Sequence, residues 1–474
     1  MGGHVVVLDV GKTVTKVSLW APDGSCVARR TRLNERVEGP GYVALDASGI
    51  DAWLGGALAE LAALAPVSAI IPVAHGAALA VVRDQRLALP PMDYESPIPA
   101  GELVRYAAQR APFALTGSPA LPAGLNLGAQ LHWLETLHPD ALAPGASLLP
   151  WPQYWAWRLC GVPASEVTSL GCHSDLWCPA VARPSPLAEH RGWAGLLPPL
   201  HRAGDRLGCL SPEWVERAGL PETVGVHCGL HDSNAALLAA RAFPEIGGRE
   251  ATVLSTGTWL IAMRSAAEPV DVSRLPEHRD CLVNVDAAGQ PVPSARFMGG
   301  REIELLTGTA AARIDIPADQ AALLAAVPAA LVPGQLPLPT FAAGCGPFGQ
   351  AAGQWTSPPV DEGARRAAIA LYAALVADVA LSLIGTRERL LVEGRFAGAE
   401  VFVRALATLR PDMQVYVASA ENDVSFGALT LLQPAALPTT ALRRVEPFTA
   451  DLVPSLNECR AAWLATAMSM ETSA

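Results

Sequence analysis

Asp9-Val10-Gly11-Lys12-Thr13-Val14-Thr15-Lys16 stands between two β-rich runs, and its reading decides the fold. Val5-Val6-Val7-Leu8 comes before it. Val14 to Trp20 follows with period-two alternation, Thr15, Val17 and Leu19 on one face and Lys16, Ser18 and Trp20 on the other. Gly-Lys-Thr invites a phosphate-loop reading, but that motif needs a glycine where Val6 stands and a helix where the second strand runs. A hairpin tip is left. Glycine there lets the backbone approach an anion, amides and threonine hydroxyls donate to phosphate oxygens, and an acid at the strand end suits magnesium. An ordinary β-turn with a charged flank reads the same way in isolation.

Working outward, Asp23-Gly24 turns the chain into a third strand over 26–33, completing an antiparallel meander. Trp53, Leu54, Ala57, Leu58 and Leu61 then recur at helical spacing within 51–64, and a strand at 68–73 makes the crossover to a parallel neighbour. The second half repeats the pattern, with a strand at 251–255, a Thr256-Gly257 turn, a returning strand at 258–263, and later strands at 390–393 and 414–417. The spacing predicts a duplicated α/β topology, each half led by a hairpin with Gly and Thr at its tip. Pro-rich segments at 183–199 and 326–340 read as connecting loops or small insertions, and 229–244 as the passage between domains.

A chain of 474 residues, 51% hydrophobic and 17% charged, exceeds one core and is expected to form two domains. Its net charge of −11 excludes a general nucleic-acid binder. Nine scattered cysteines, with no C-x-x-C pair and no secretion signal at the start, point to a reduced, cytoplasmic protein. The apolar run 367–384 carries Asp378 and is expected as a buried core helix, so no membrane partner is expected.

Two further motifs carry chemistry. Ser255-Thr256-Gly257-Thr258-Trp259 is the second tip; two such tips form a clamp for one polyphosphate. His231-Asp232-Ser233-Asn234 follows a strand end, where Asp232 is either a helix N-cap or a general base for a hydroxyl attacking phosphorus.

In this order and spacing the three motifs resemble the FGGY family of carbohydrate kinases, over roughly residues 4–435, and within it the L-fuculose and L-rhamnulose kinase branch. The resemblance implies an α/β fold of two actin-like (ribonuclease H-like) ATPase domains flanking a central cleft. The implied boundaries are an N-terminal sugar-kinase domain at 1–237, a C-terminal nucleotide-binding domain at 238–440, and a tail at 441–474. It implies a phosphotransferase that moves the γ-phosphate of ATP to a hydroxyl of a ketose, with Mg2+, a small-molecule sugar as partner, and a homodimer as the habit of relatives.

Residue by residue, it places Asp9 beside the metal and Asp232 as catalytic base. Gly11, Lys12, Thr13 and Lys16 would line the phosphates from one tip, and Thr256, Gly257 and Thr258 from the other. Gly344, in a glycine-rich loop, and Gly394 fall in the nucleotide region. His75 and Gly76 resemble a Met-His-Gly that touches sugar in xylulose kinases; a strand-end histidine is the alternative. Tyr94, Glu95, Gln130 and His231 complete the implied sugar pocket. Relatives carry Gly-Gly-Gly-Ser where this chain has Val392-Glu393-Gly394-Arg395, and that departure leaves open a degenerate kinase that only binds sugar or nucleotide.

Overall fold

The computed structural model describes residues 3–309, 313–418 and 424–473, in two compact units. The first comprises Met1–Ala242, Val283–Pro291 and Asp423–Thr439; the second comprises Phe243–Leu282, Val292–Asn422 and Thr440–Ala474. The passage expected within 229–244 holds the break at Ala242, but two later segments return to the first unit.

In the first unit β1 (His4–Val10), β2 (Val14–Trp20) and β3 (Cys26–Leu33) form the meander. β4 (Val67–Ala74) runs parallel to β1, and β5 (Gly225–His227) parallel to β4, which gives the order β3-β2-β1-β4-β5. A parallel neighbour needs a crossover helix, and Ala47–Ala62 supplies it, started by the Asp46 carboxylate accepting from the Gly49 amide.

Alternation along the strands sorts side chains into two apolar layers. Val6, Leu8, Val17 and Leu19 pack with Leu54, Leu58 and Trp155 on one face. Val5, Val7 and Trp20 pack with Ala235, Ala239 and Phe426 on the other. With both faces covered, even Thr15 and Ser18 are fully buried.

The second unit repeats this order. β6 (Ala251–Thr256) pairs antiparallel with β7 (Leu260–Ser265), which pairs with β8 (Pro291–Phe297). β9 (Arg389–Gly394) and β10 (Gln414–Ala418) follow in parallel, so the order is β8-β7-β6-β9-β10. The duplication read from the hairpins is therefore the duplication of the fold: each unit is an actin-like, ribonuclease H-like α/β lobe.

Three expectations change. Residues 326–330 are not loop, because the helix Gln320–Ala330 runs through Pro328. The segment 441–474, expected as a tail, carries regular structure: Leu442–Arg444 adds a strand beside β10, and Val453–Ser473 is a helix with Trp463 buried. The 183–199 segment holds a helix, Pro186–His190, and the buried Trp193. The apolar helix Glu362–Leu383 is a core element as expected, and its Asp378 is met by Arg410 Nε at 2.9 Å and Arg460 Nη2 at 2.7 Å.

Candidate active site

Asp232 is placed by the end of the first sheet. Gly229 takes φ +81 beside the Pro72 carbonyl, where a Cβ would overlap that oxygen, and this close approach lets Leu230–His231 pair with Val73 and Ala74 of β4. The helix Asp232–Arg241 then begins, with His231 as its N-cap residue and Asp232 as the first helical residue. The N-cap alternative for Asp232 is thereby set aside. Its Oδ1 accepts from the Ser233 amide at 2.6 Å, from Ser233 Oγ at 3.3 Å, and lies 3.1 Å from His231 Nε2. Among the described residues no protein donor reaches Oδ2, and the side chain is 32% exposed. Burial pushes this carboxyl up, but His231 and the Ser233 amide outweigh it and hold it below the usual aspartate range. One oxygen is thus fixed and the other is open to a hydroxyl.

The expected sugar side gathers at the end of β4. His75 is 8% exposed, with neither ring nitrogen partnered, and burial pulls its imidazole down to about 4, so it is neutral at physiological pH. A neutral ring offers one donor and one acceptor to a polyol. Its edge meets Tyr94 at 5.8 Å between centroids. Gly76 is forced by crowding, since a Cβ would sit 2.6 Å from Cys172 Sγ and 2.8 Å from His231 Nε2. Gln130, 1% exposed, donates to the carbonyls of Ala77 at 2.9 Å and Gly124 at 2.6 Å, while its Oε1 has no partner.

Lys12, expected on phosphate, is engaged elsewhere. Its Nζ lies 3.0 Å from Asp93 Oδ1, 2.7 Å from Glu95 Oε1 and 3.7 Å from the Tyr94 ring centre. Glu95, expected on sugar, is likewise committed to Lys12 and Arg36. Lys12→Met is therefore expected to raise KM for the sugar about tenfold, from loss of Tyr94 placement, and to leave KM for the nucleotide within about twofold. Steady-state kinetics with each substrate varied decides it, and the reverse split returns Lys12 to the phosphates.

At the first tip the Gly11 amide donates to the Val14 carbonyl at 3.0 Å, and the Asn34 side chain donates to the Gly11 carbonyl at 2.8 Å. Thr13 is exposed. Asp9 is the penultimate residue of β1, 6% exposed, with Lys16 Nζ at 3.5 Å. Among the described residues no cluster of three or more His, Cys, Asp or Glu could cage a metal. A single carboxylate nevertheless fits magnesium, which keeps waters and substrate phosphate oxygens as its other ligands.

At the second tip the Gly257 amide donates to the Trp259 carbonyl at 2.9 Å and Thr258 is exposed. Thr256 is buried. Its hydroxyl donates to the Glu393 carbonyl at 2.5 Å and accepts from the Phe396 amide at 2.9 Å, so it ties β6 to the turn after β9. The departures from the glycine run find protein partners: Glu393 Oε1 accepts from Ser255 Oγ at 2.5 Å, and Arg395 pairs with Asp315 at 3.1 Å and Glu304 at 3.0 Å. Beside Arg395 a cavity of about 490 Å³ is lined by Arg301, Glu304, Thr307, Gly308 and Arg313. Gly344 takes φ +80 and its amide donates to the Gly349 carbonyl at 3.2 Å; no described contact brings it to the tip.

The sequence reading missed Cys172, whose Sγ is 3.3 Å from His231 Nε2, and the fully buried Glu166, whose carboxylate accepts from Thr168 Oγ1 at 2.6 Å and which burial pushes up to about 7. It also gave no weight to Asp93, 1% exposed, which anchors Lys12 and Arg36. Nothing local marks these three.

With this geometry in hand, known proteins give a consistent answer. The model of the FGGY carbohydrate kinase C-terminal domain matches residues 248–440. The crystal structure of a carbohydrate kinase from Novosphingobium aromaticivorans is 55% identical and superposes with a TM-score of 0.95, covering 98% of this chain and 99% of that one. The chain belongs to the FGGY carbohydrate kinases, phosphotransferases that act on an alcohol group.

Among curated relatives, the L-fuculokinase of Haemophilus influenzae is 29% identical over 148 residues, 30% of this chain, and the match spans only 29% of that protein's length. A xylulose kinase from Rhodospirillum rubrum, 19% identical with a TM-score of 0.78 over 99% of this chain and 100% of that one, shares the fold.

Proposed function

We propose that the protein transfers the γ-phosphate of ATP to a hydroxyl of a small ketose of the L-fuculose or L-rhamnulose kind. The observation that carries this is Asp232, with Oδ1 held by its neighbours and Oδ2 without a protein partner, beside a buried His75 whose ring nitrogens both lack partners. Buried polar groups are normally paired, so orphaned ones beside an open carboxylate suit a polar ligand. The local similarity to L-fuculokinase supports a ketose.

In this reading His75, Tyr94 and Gln130 orient the sugar, and Asp232 Oδ2 accepts the proton of the attacking hydroxyl. The exposed Thr13 hydroxyl at the first tip is a donor for phosphate oxygens, with Gly11 keeping the turn bare of side chain, and Lys16 offsets phosphate charge; Thr258, beside Gly257, is the equivalent donor of the second unit. Asp9 would hold magnesium, which when bound neutralises phosphate oxygens. The Arg395 cavity falls in the size range of nucleoside pockets.

A coupled ADP-release screen over ketoses and polyols tests this. A ketose should raise ADP release well above the sugar-free rate. Release that no sugar or polyol stimulates would remove the proposal.

A further inference from the structure

We propose that Cys172 and His231 act as a positioning pair that holds the Asp232 carboxylate ionised and aimed at the acceptor hydroxyl. This rests on the reading of Asp232 as the base and extends it to residues that no such role requires. His231 Nε2 lies between two acceptors, Cys172 Sγ at 3.3 Å and Asp232 Oδ1 at 3.1 Å. The ring itself is clamped. Its backbone amide donates to Thr168 Oγ1 at 3.0 Å, and the Asn234 side-chain amide lies 3.3 Å from Nδ1, where its otherwise unpartnered oxygen, once the amide is turned, accepts from a protonated ring. The ring packs so close to Gly76 that a Cβ there would come within 2.8 Å of Nε2.

Cys172 and His231 are almost wholly buried, at 1% and 5% exposed, so their mutual attraction is little screened by water. The groups facing them are few. His75 comes from the end of β4, Glu166 from the strand Ser165–Glu166, His173 from the loop beside Cys172, and Asp232 from the helix start.

Electrostatics agrees with the geometry. Burial pushes the Cys172 thiol up, but His173 and His231 outweigh it and bring it down to about 6. Burial pushes His231 down, and the charges of Cys172 and Asp232 overcome that and raise it. A thiolate on one side keeps the imidazole protonated, and the imidazolium on the other side keeps Asp232 ionised.

The sign follows. A carboxylate held below its usual range stays competent as a base through mildly acid pH and fails only as pH falls through its lowered value. Loss of the imidazolium lets it fail at higher pH.

The test compares wild type, His231→Asn and Cys172→Ala. The acid limb of kcat/KM for the sugar is expected to move up by about 1 pH unit or more in His231→Asn, and in the same direction by less in Cys172→Ala. Limbs unmoved in both variants, with only kcat lowered, would overturn the pairing and leave a packing role.

A second arm needs no substrate. The thiolate absorbance of wild type minus that of Cys172→Ala should titrate below the ordinary thiol range, and should return to that range when His231→Asn is added to both. An ordinary thiol titration in the wild-type difference overturns the pair outright. Failure of the sugar screen alone removes the base assignment, while this arm still decides the pair.

Discussion

Replacing Asp232 with alanine is expected to lower kcat by about 10²- to 10⁴-fold, the usual worth of a positioned general base. The side chain is held from one side only, through Oδ1, by Ser233 and His231. Truncation removes a part-exposed side chain and leaves the buried His231 with Cys172 as its remaining Nε2 partner, so the fold should persist. The Gly11 and Gly257 tips are untouched, so the dissociation constant for ATP should change less than about twofold, a difference under 0.5 kcal/mol. Single-turnover rates beside ATP titration separate the two terms. Wild-type turnover in the variant would assign the proton to another group, and lost ATP binding would make Asp232 a structural residue.

The second large effect is expected at Gly394. It closes β9 with φ +80 and ψ −158, a region essentially reserved for glycine, and a Cβ there would overlap the Thr256 carbonyl oxygen. Strain of that kind costs about 1–3 kcal/mol and overpacking against backbone costs a similar amount again, so Gly394→Ala should lose about 3 kcal/mol or more of stability. The obstacle is main chain, which no rotamer change relieves. Chemical denaturation of the whole chain reads it. A variant as stable as wild type but unable to bind nucleotide would show that Gly394 serves the ligand, not the β6–β9 junction.

What the sequence disclosed follows from range. Glycine, alternation and strand propensity act locally, so β2 and β3 fall at the expected residues; the second hairpin forms too, with its turn at 257–259 and its returning strand at Leu260–Ser265, two residues later than the expected 258–263. Asp232 and His231 were visible because a strand end and a helix start adjoin in sequence.

The resemblance places Lys12 on phosphate through its position in the hairpin tip, yet its acidic partner Asp93 lies 81 positions away. The Cys172–His231 contact spans 59 positions, and a lone Gly-Cys-His gives no hint of it. Thr256, expected in the turn, closes β6 instead, and its hydroxyl is spent on a strand that begins more than a hundred residues later. The helix through Pro328 is missed for the same reason, since packing partners outside the window override a proline.

The most direct measurement is a crystal structure with a non-hydrolysable ATP analogue and the ketose selected by the ADP-release screen. Asp232 Oδ2 should lie within hydrogen-bond distance of the sugar hydroxyl that faces the terminal phosphorus, with that phosphate against the turn at Gly11–Thr13. A sugar seated away from Asp232, or a terminal phosphate that does not touch the Gly11–Thr13 turn, would contradict it.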